Sequence, residues 1–128
     1  MNPVIFDTGP LVAWFCPRDE HHAWVRQAFA QIPAGGFICE AVLAEVCHLV
    51  AKEGVARGKV IEFVERARLT VVSLGGELPV VRALLECYAD APMDFVDACW
   101  CACRNCIRKP GYARLTDILS SSGVRVRQ

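Results

Sequence analysis

Net charge, long apolar runs and internal repetition are all missing from this 128-residue chain. Its 14 Lys and Arg offset its 14 Asp and Glu, so bulk electrostatics favour no particular partner. No stretch reaches the roughly 18 apolar residues of a membrane-spanning helix. Met1-Asn2-Pro3 lacks the basic region of a signal peptide, and the apolar run 11–16 is too short for its core. These absences lead to the expectation of a soluble, cytoplasmic protein with no membrane partner. With no repeat, linker or low-complexity tract, residues 1–128 are expected to form one domain, and 54% apolar residues supply a substantial core.

Cysteine is abundant, with eight residues, which a cytoplasmic setting would keep reduced. Cys99, Cys101, Cys103 and Cys106 form a C-x-C-x-C-x-x-C run. On a helix, 99, 103 and 106 share a face and 101 points away. Structural zinc sites instead take paired cysteines from a turn plus two further ligands. The segment reads as an apolar helix in which cysteine fills space as alanine would.

Short strands alternate with helices along the chain. Val4-Ile5-Phe6 reads as a central strand, with a helix over 10–16 opened by Pro10. A helix over 21–30 follows, with Trp24, Val25 and Phe29 on its apolar side. A strand at 37–39 leads into a helix over 40–53, whose apolar residues have helical spacing. Further elements are a helix at 58–68, a β-branched strand at 69–74, and helices at 77–89 and 94–108. Two last strands are expected near 112–115 and 124–126. The alternation indicates an α/β domain with a mostly parallel sheet.

In such sheets, ligands bind beyond the carboxyl ends of the strands. Asp7 ends the first strand and is followed by Thr8-Gly9-Pro10; Asp117 follows a strand-like run at 113–116. Glu45 lies two turns into the helix after the second strand, and Asp97 lies near the start of its helix. An unpaired carboxylate in an apolar stretch costs several kcal/mol. Acids without basic neighbours in sequence suggest a divalent cation among them. Asp94, three residues before Asp97, is placed either to cap that helix or to share a face with Asp97. From Arg104 onward the chain is rich in arginine, and Arg104 and Arg114 are candidates for phosphate contacts. His21, His22 and His48 show no convergent spacing and read as ordinary helix residues.

These segments resemble a known family. Residues 4–13, Val-Ile-Phe-Asp-Thr-Gly-Pro-Leu-Val-Ala, are similar to the opening of a PIN domain. Ala41-Val42-Leu43-Ala44-Glu45-Val46 resembles its acidic helix, Pro92-Met93-Asp94-Phe95-Val96-Asp97-Ala98 its third acidic segment, and Leu115-Thr116-Asp117 its fourth. The resemblance implies a three-layer α/β/α sandwich around a short, mostly parallel sheet. It also implies a metal-dependent ribonuclease of the VapC toxin type, using Mg²⁺ or Mn²⁺, cleaving an RNA substrate, neutralised by a cognate antitoxin and paired as a homodimer. Asp7, Glu45, Asp97 and Asp117 become the acidic quartet, with Asp7 and Asp97 as direct ligands and Thr8 and Asp94 as auxiliary residues. The family often continues past its fourth acid with a basic or polar residue and Asp-Phe, where this chain has Ile118-Leu119-Ser120. That departure motivates an alternative: a catalytically impaired PIN-like binding module acting through protein or RNA contacts. Asp7-Thr8-Gly9 also matches the aspartic-protease tripeptide, but that fold is all-β, whereas this chain reads as mostly helix.

Overall fold

The structure, a computed structural model, describes residues 3–108. Asp117, Arg114 and the two expected carboxyl-terminal strands lie outside the described residues. The elements in order are α1 (Thr8–Phe15), α2 (His22–Ala30), β1 (Phe37–Cys39), α3 (Glu40–Lys52), α4 (Arg57–Arg66), β2 (Thr70–Val72), a 3₁₀ turn (Gly75–Glu77), α5 (Leu78–Cys87) and α6 (Phe95–Ile107).

β1 sits between two parallel neighbours. It pairs with β2 in the register Phe37↔Thr70, Ile38↔Val71, Cys39↔Val72. On its other side Ile5 forms a parallel bridge to Phe37. There the Phe6 N–H donates to the Phe37 carbonyl, and the Phe37 N–H donates to that of Val4, each at 2.9 Å. All three β1 residues are fully buried. An apolar triplet without alternation is what a parallel strand covered on both faces requires. The expected first strand is thus realised as a single bridge, and the strand expected over 69–74 contracts to Thr70–Val72. Gly36 makes the close approach possible. Its φ is +116°, and a Cβ there would lie 3.0 Å from the Val4 carbonyl oxygen.

α3 and α6 pack onto this sheet. α3 buries Val42, Val46 and Val50, spaced by four, and contacts α1, α4, α6 and β1. α1 starts at Thr8, two residues before the expected Pro10, because the Asp7 carboxylate accepts from the Thr8 N–H and caps it. Pro10 then occupies a first-turn position, where a missing N–H costs no intrahelical bond. Phe6 packs edge to face against both Phe29 and Phe63, and Trp14 stacks on Phe29 at 5.3 Å between centroids. Trp24 departs from expectation. It is 54% exposed, because one step from Val25 is a 100° turn that carries it off the buried stripe. The His22 ring ties the start of α2 to α1, its Nδ1 hydrogen-bonding the Ala13 carbonyl at 2.7 Å.

The cysteine-rich helix follows its predicted geometry. Cys99, Cys103 and Cys106 are buried and Cys101 is only half-buried. All eight cysteines are free. Cys103 shares a thiol hydrogen bond with Cys39 that, together with burial, pushes its own pKa up, while the same bond draws that of Cys39 down. Burial pushes Cys99 up to about 11. Cys99 and Cys103 therefore pack as neutral thiols. Helix dominates the described residues and their strands pair in parallel, which excludes the all-β aspartic-protease reading. No helix among them is long and apolar enough to cross a membrane.

Candidate active site

Five of the six residues singled out from the sequence meet at one place. Asp7, Thr8, Glu45, Asp94 and Asp97 line a single open cleft of about 570 Å³, together with Gly9, Leu49, Ala91, Pro92, Met93 and Val96. The sixth, Asp117, lies outside the described residues. The sheet explains the convergence. Asp7 directly follows the bridged segment beside β1, and α3 leaves the carboxyl end of β1 without a linker. The cleft therefore forms at the carboxyl edge of the sheet, where α/β proteins place their ligands.

Each acid is fixed by a local hydrogen bond. Asp7 Oδ1 accepts from the Thr8 N–H at 2.8 Å. The Thr8 hydroxyl, itself buried, donates across to Glu45 Oε2 at 3.4 Å. Asp94 is the N-cap of α6, and the reciprocal capping box is complete. The Asp97 N–H donates to Asp94 Oδ1 at 2.9 Å, and the Asp94 N–H donates to Asp97 Oδ2 at 3.3 Å. The two readings of Asp94 are thus compatible: it caps the helix and also faces the cleft. Asp7, Glu45 and Asp97 are half-buried and Asp94 is exposed, so the acids rim an accessible cleft rather than sitting in a sealed core.

Among the described residues, no Lys, Arg or His lines the cleft. The consequence appears at Glu45, whose pKa is raised by burial first, then by the charge of Asp94, with Asp97 and Asp7 adding and the Thr8 hydroxyl opposing. A carboxyl group raised in the folded state favours folding when protonated. Its charged form becomes a cost as pH rises through the folded pKa. Glu45→Gln in metal-free protein is therefore expected to raise Tm at pH 7 by a few degrees, because the amide carbonyl still accepts from Thr8. The gain should vanish below the ordinary glutamate pKa of about 4.3. Paired thermal melts in EDTA at neutral and acid pH check this, and an unchanged or lower Tm at pH 7 would contradict it.

The donor set is all oxygen, the kind that suits Mg²⁺ or Mn²⁺. Among the described residues, however, no three His, Cys, Asp or Glu side chains are already gathered closely enough to hold a metal ion. The acids match such an ion in chemistry and share a cleft, but they are not drawn into a coordination shell.

Residues 4–103 match the PIN domain family. This chain is a PIN domain protein. The match covers the segments that carry Asp7, Glu45, Asp94 and Asp97 and ends before Asp117. Among solved structures, this PIN domain is similar to Mycobacterium tuberculosis VapC20, a Sarcin-Ricin loop cleaving toxin. The TM-score is 0.69 at 22% identity, over 84% of this chain and 83% of that one, a likeness of fold. No curated protein sequence matches. The α/β class read from the sequence is borne out by the family, by the neighbour and by the parallel pairing.

Sequence reading missed the apolar walls of the cleft. Leu49 could have been found, since it lies one helical turn beyond Glu45 and so shares its face.

Proposed function

We propose that this PIN domain is a metal-dependent endoribonuclease of the VapC type, the toxin of a toxin–antitoxin pair. The observation that carries the reading is the convergence of Asp7, Glu45, Asp94 and Asp97 on one cleft that no basic side chain lines among the described residues. Like charges held together without benefit would weaken the fold. A Mg²⁺ or Mn²⁺ ion gives the cluster a purpose.

Asp7 and Asp97 are the direct ligands in this reading, with Glu45 and Asp117 completing the set. Bound there, the ion would supply a coordinated water of lowered pKa and would neutralise charge on the phosphate oxygens. The protein's own part is positioning. The Thr8 N–H holds Asp7 Oδ1 at the edge of the cleft. The Asp94 N–H holds Asp97 Oδ2 and leaves Oδ1. Thr8 orients Glu45 from the opposite wall. Asp7, Glu45 and Asp97 are thus each oriented by a hydrogen bond to one carboxylate oxygen.

RNA is the proposed substrate and an antitoxin the proposed partner. The fold shared with a toxin that cleaves the Sarcin-Ricin loop supports both. An open groove of about 480 Å³, lined by Trp14, Phe15 and Phe63 with Lys59, Glu62 and Arg66, supports a protein partner. A homodimer is proposed on the family resemblance, supported by the exposed apolar side chains Leu78 and Phe95. The impaired binding module keeps one observation in its favour, the Ile118-Leu119-Ser120 departure. Incubation with a mixture of structured RNAs in Mn²⁺, in Mg²⁺ and in EDTA separates the two readings. The nuclease cuts in metal and stops in EDTA, whereas the module binds RNA or protein and leaves every strand intact.

A further inference from the structure

The cleft concentrates negative charge where a polyanion must approach, and a chain of zero net charge offers no long-range attraction to offset it. Cations able to hold RNA therefore have to be local. α6 supplies them in line with the site. Residues 97, 101, 104 and 108 fall within a stripe about 60° wide on an α-helix, at a rise of about 10 Å from 97 to 104. In this stripe Asp97, Cys101 and Arg104 are half-buried and Arg108 is exposed. Of the residues outside this stripe, Ala98, Cys99, Trp100, Ala102, Cys103, Cys106 and Ile107 are buried, and Phe95 and Asn105 are exposed. α3, packed against α6, repeats the order: Glu45 and Leu49 line the cleft, and Lys52 follows in the last turn. Among the described residues, the ion pairs involve His21, Arg66 and Arg82, and none engages Lys52, Arg104 or Arg108.

We propose that Arg104, continued by Arg108 and flanked by Lys52, forms a phosphate track that holds the RNA backbone beside the scissile bond. The inference rests on the ribonuclease reading and adds to it the residues that position the substrate. A half-buried stem pre-orders the Arg104 guanidinium, whose planar fork matches two phosphate oxygens. Arg104 also lies in the last turn of α6, where a cation stabilises the helix dipole. That role affects stability but not the salt dependence of RNA binding.

The test is binding of a mixed-sequence single-stranded RNA oligonucleotide in EDTA, followed by fluorescence anisotropy over a series of salt concentrations. Each phosphate contact contributes about 0.7 to the slope of log K against log salt on a single strand. Arg104→Gln should make the slope shallower by about that amount, and Arg104→Lys should restore it. Arg82→Gln, on the exposed face of α5 beside Glu86, should leave the slope at its wild-type value. In parallel, the RNA should shield half-buried Cys101 from maleimide and leave exposed Cys87 reactive. An unchanged slope in Arg104→Gln, an equal loss in Arg82→Gln, or equal labelling of both cysteines overturns the track while the nuclease reading stands. A wild-type protein that neither binds nor cuts RNA removes both.

Discussion

Asp97→Asn is expected to lower metal-dependent RNA cleavage by about a hundredfold or more, roughly 2.7 kcal/mol of transition-state stabilisation, with the fold retained. The asparagine carbonyl can still accept from the Asp94 N–H, so the capping box keeps its shape. What disappears is the negative charge on the oxygen left open to the cleft. One charge lost from the first turn of a helix costs about 0.3–1 kcal/mol of stability, far too little to unfold the domain. Initial rates in Mn²⁺ and a thermal melt on the same preparation separate the two effects. Cleavage within a few-fold of wild type would mean that Asp97 is a helix-capping residue and not part of the chemistry.

Phe37→Ala should be the most damaging single truncation in the core. Phe37 is 0% exposed and sits in the strand that bridges both neighbours, with its N–H and carbonyl bonded to the Val4–Phe6 segment. Removing a fully buried phenylalanine costs about 3–5 kcal/mol, transfer and cavity terms together. Against a typical total of about 5–15 kcal/mol, the variant should melt on the order of 10–20 °C lower. The site should fail with it, because β1 sets both the origin of α3 and the position of Asp7. Urea titration measures the loss directly, and a change below about 1 kcal/mol would show that the sheet is not the element that assembles the cleft.

How much of this was legible in the sequence depends on how local each signal is. β1 was read to the residue, because an apolar triplet between Gly36 and Glu40 allows little else. α3 and α6 were read to within about a residue at each end, their valine and cysteine spacings repeating with the helical period. The start of α1 is less legible, because Pro10 is a visible marker whereas a cap by Asp7 depends on a rotamer. The exposure of Trp24 is not legible, because a short helix with tryptophan beside valine does not say which one turns inward. At the site, residue types and order sufficed to nominate Asp7, Thr8, Glu45, Asp94 and Asp97, which one cleft then gathers. Their partial exposure was not legible. An acid inside an apolar run looks buried until the neighbouring helix and loop are in place. Which helix and which loop face the acids likewise belongs to packing between elements, which no single stretch of chain encodes.

The central claim is that these carboxylates share a cation. It meets its most direct test in the thermal stability of the wild-type protein titrated with Mn²⁺ or Mg²⁺ from EDTA into the millimolar range. An ion that binds only the folded state adds about 2.7 kcal/mol at one hundred times its Kd. Tm should therefore climb with metal concentration, and the climb should be lost in Asp7→Asn. A Tm that stays flat to millimolar metal, or rises equally in the variant, would contradict the claim and leave the cleft an acidic surface without an ion.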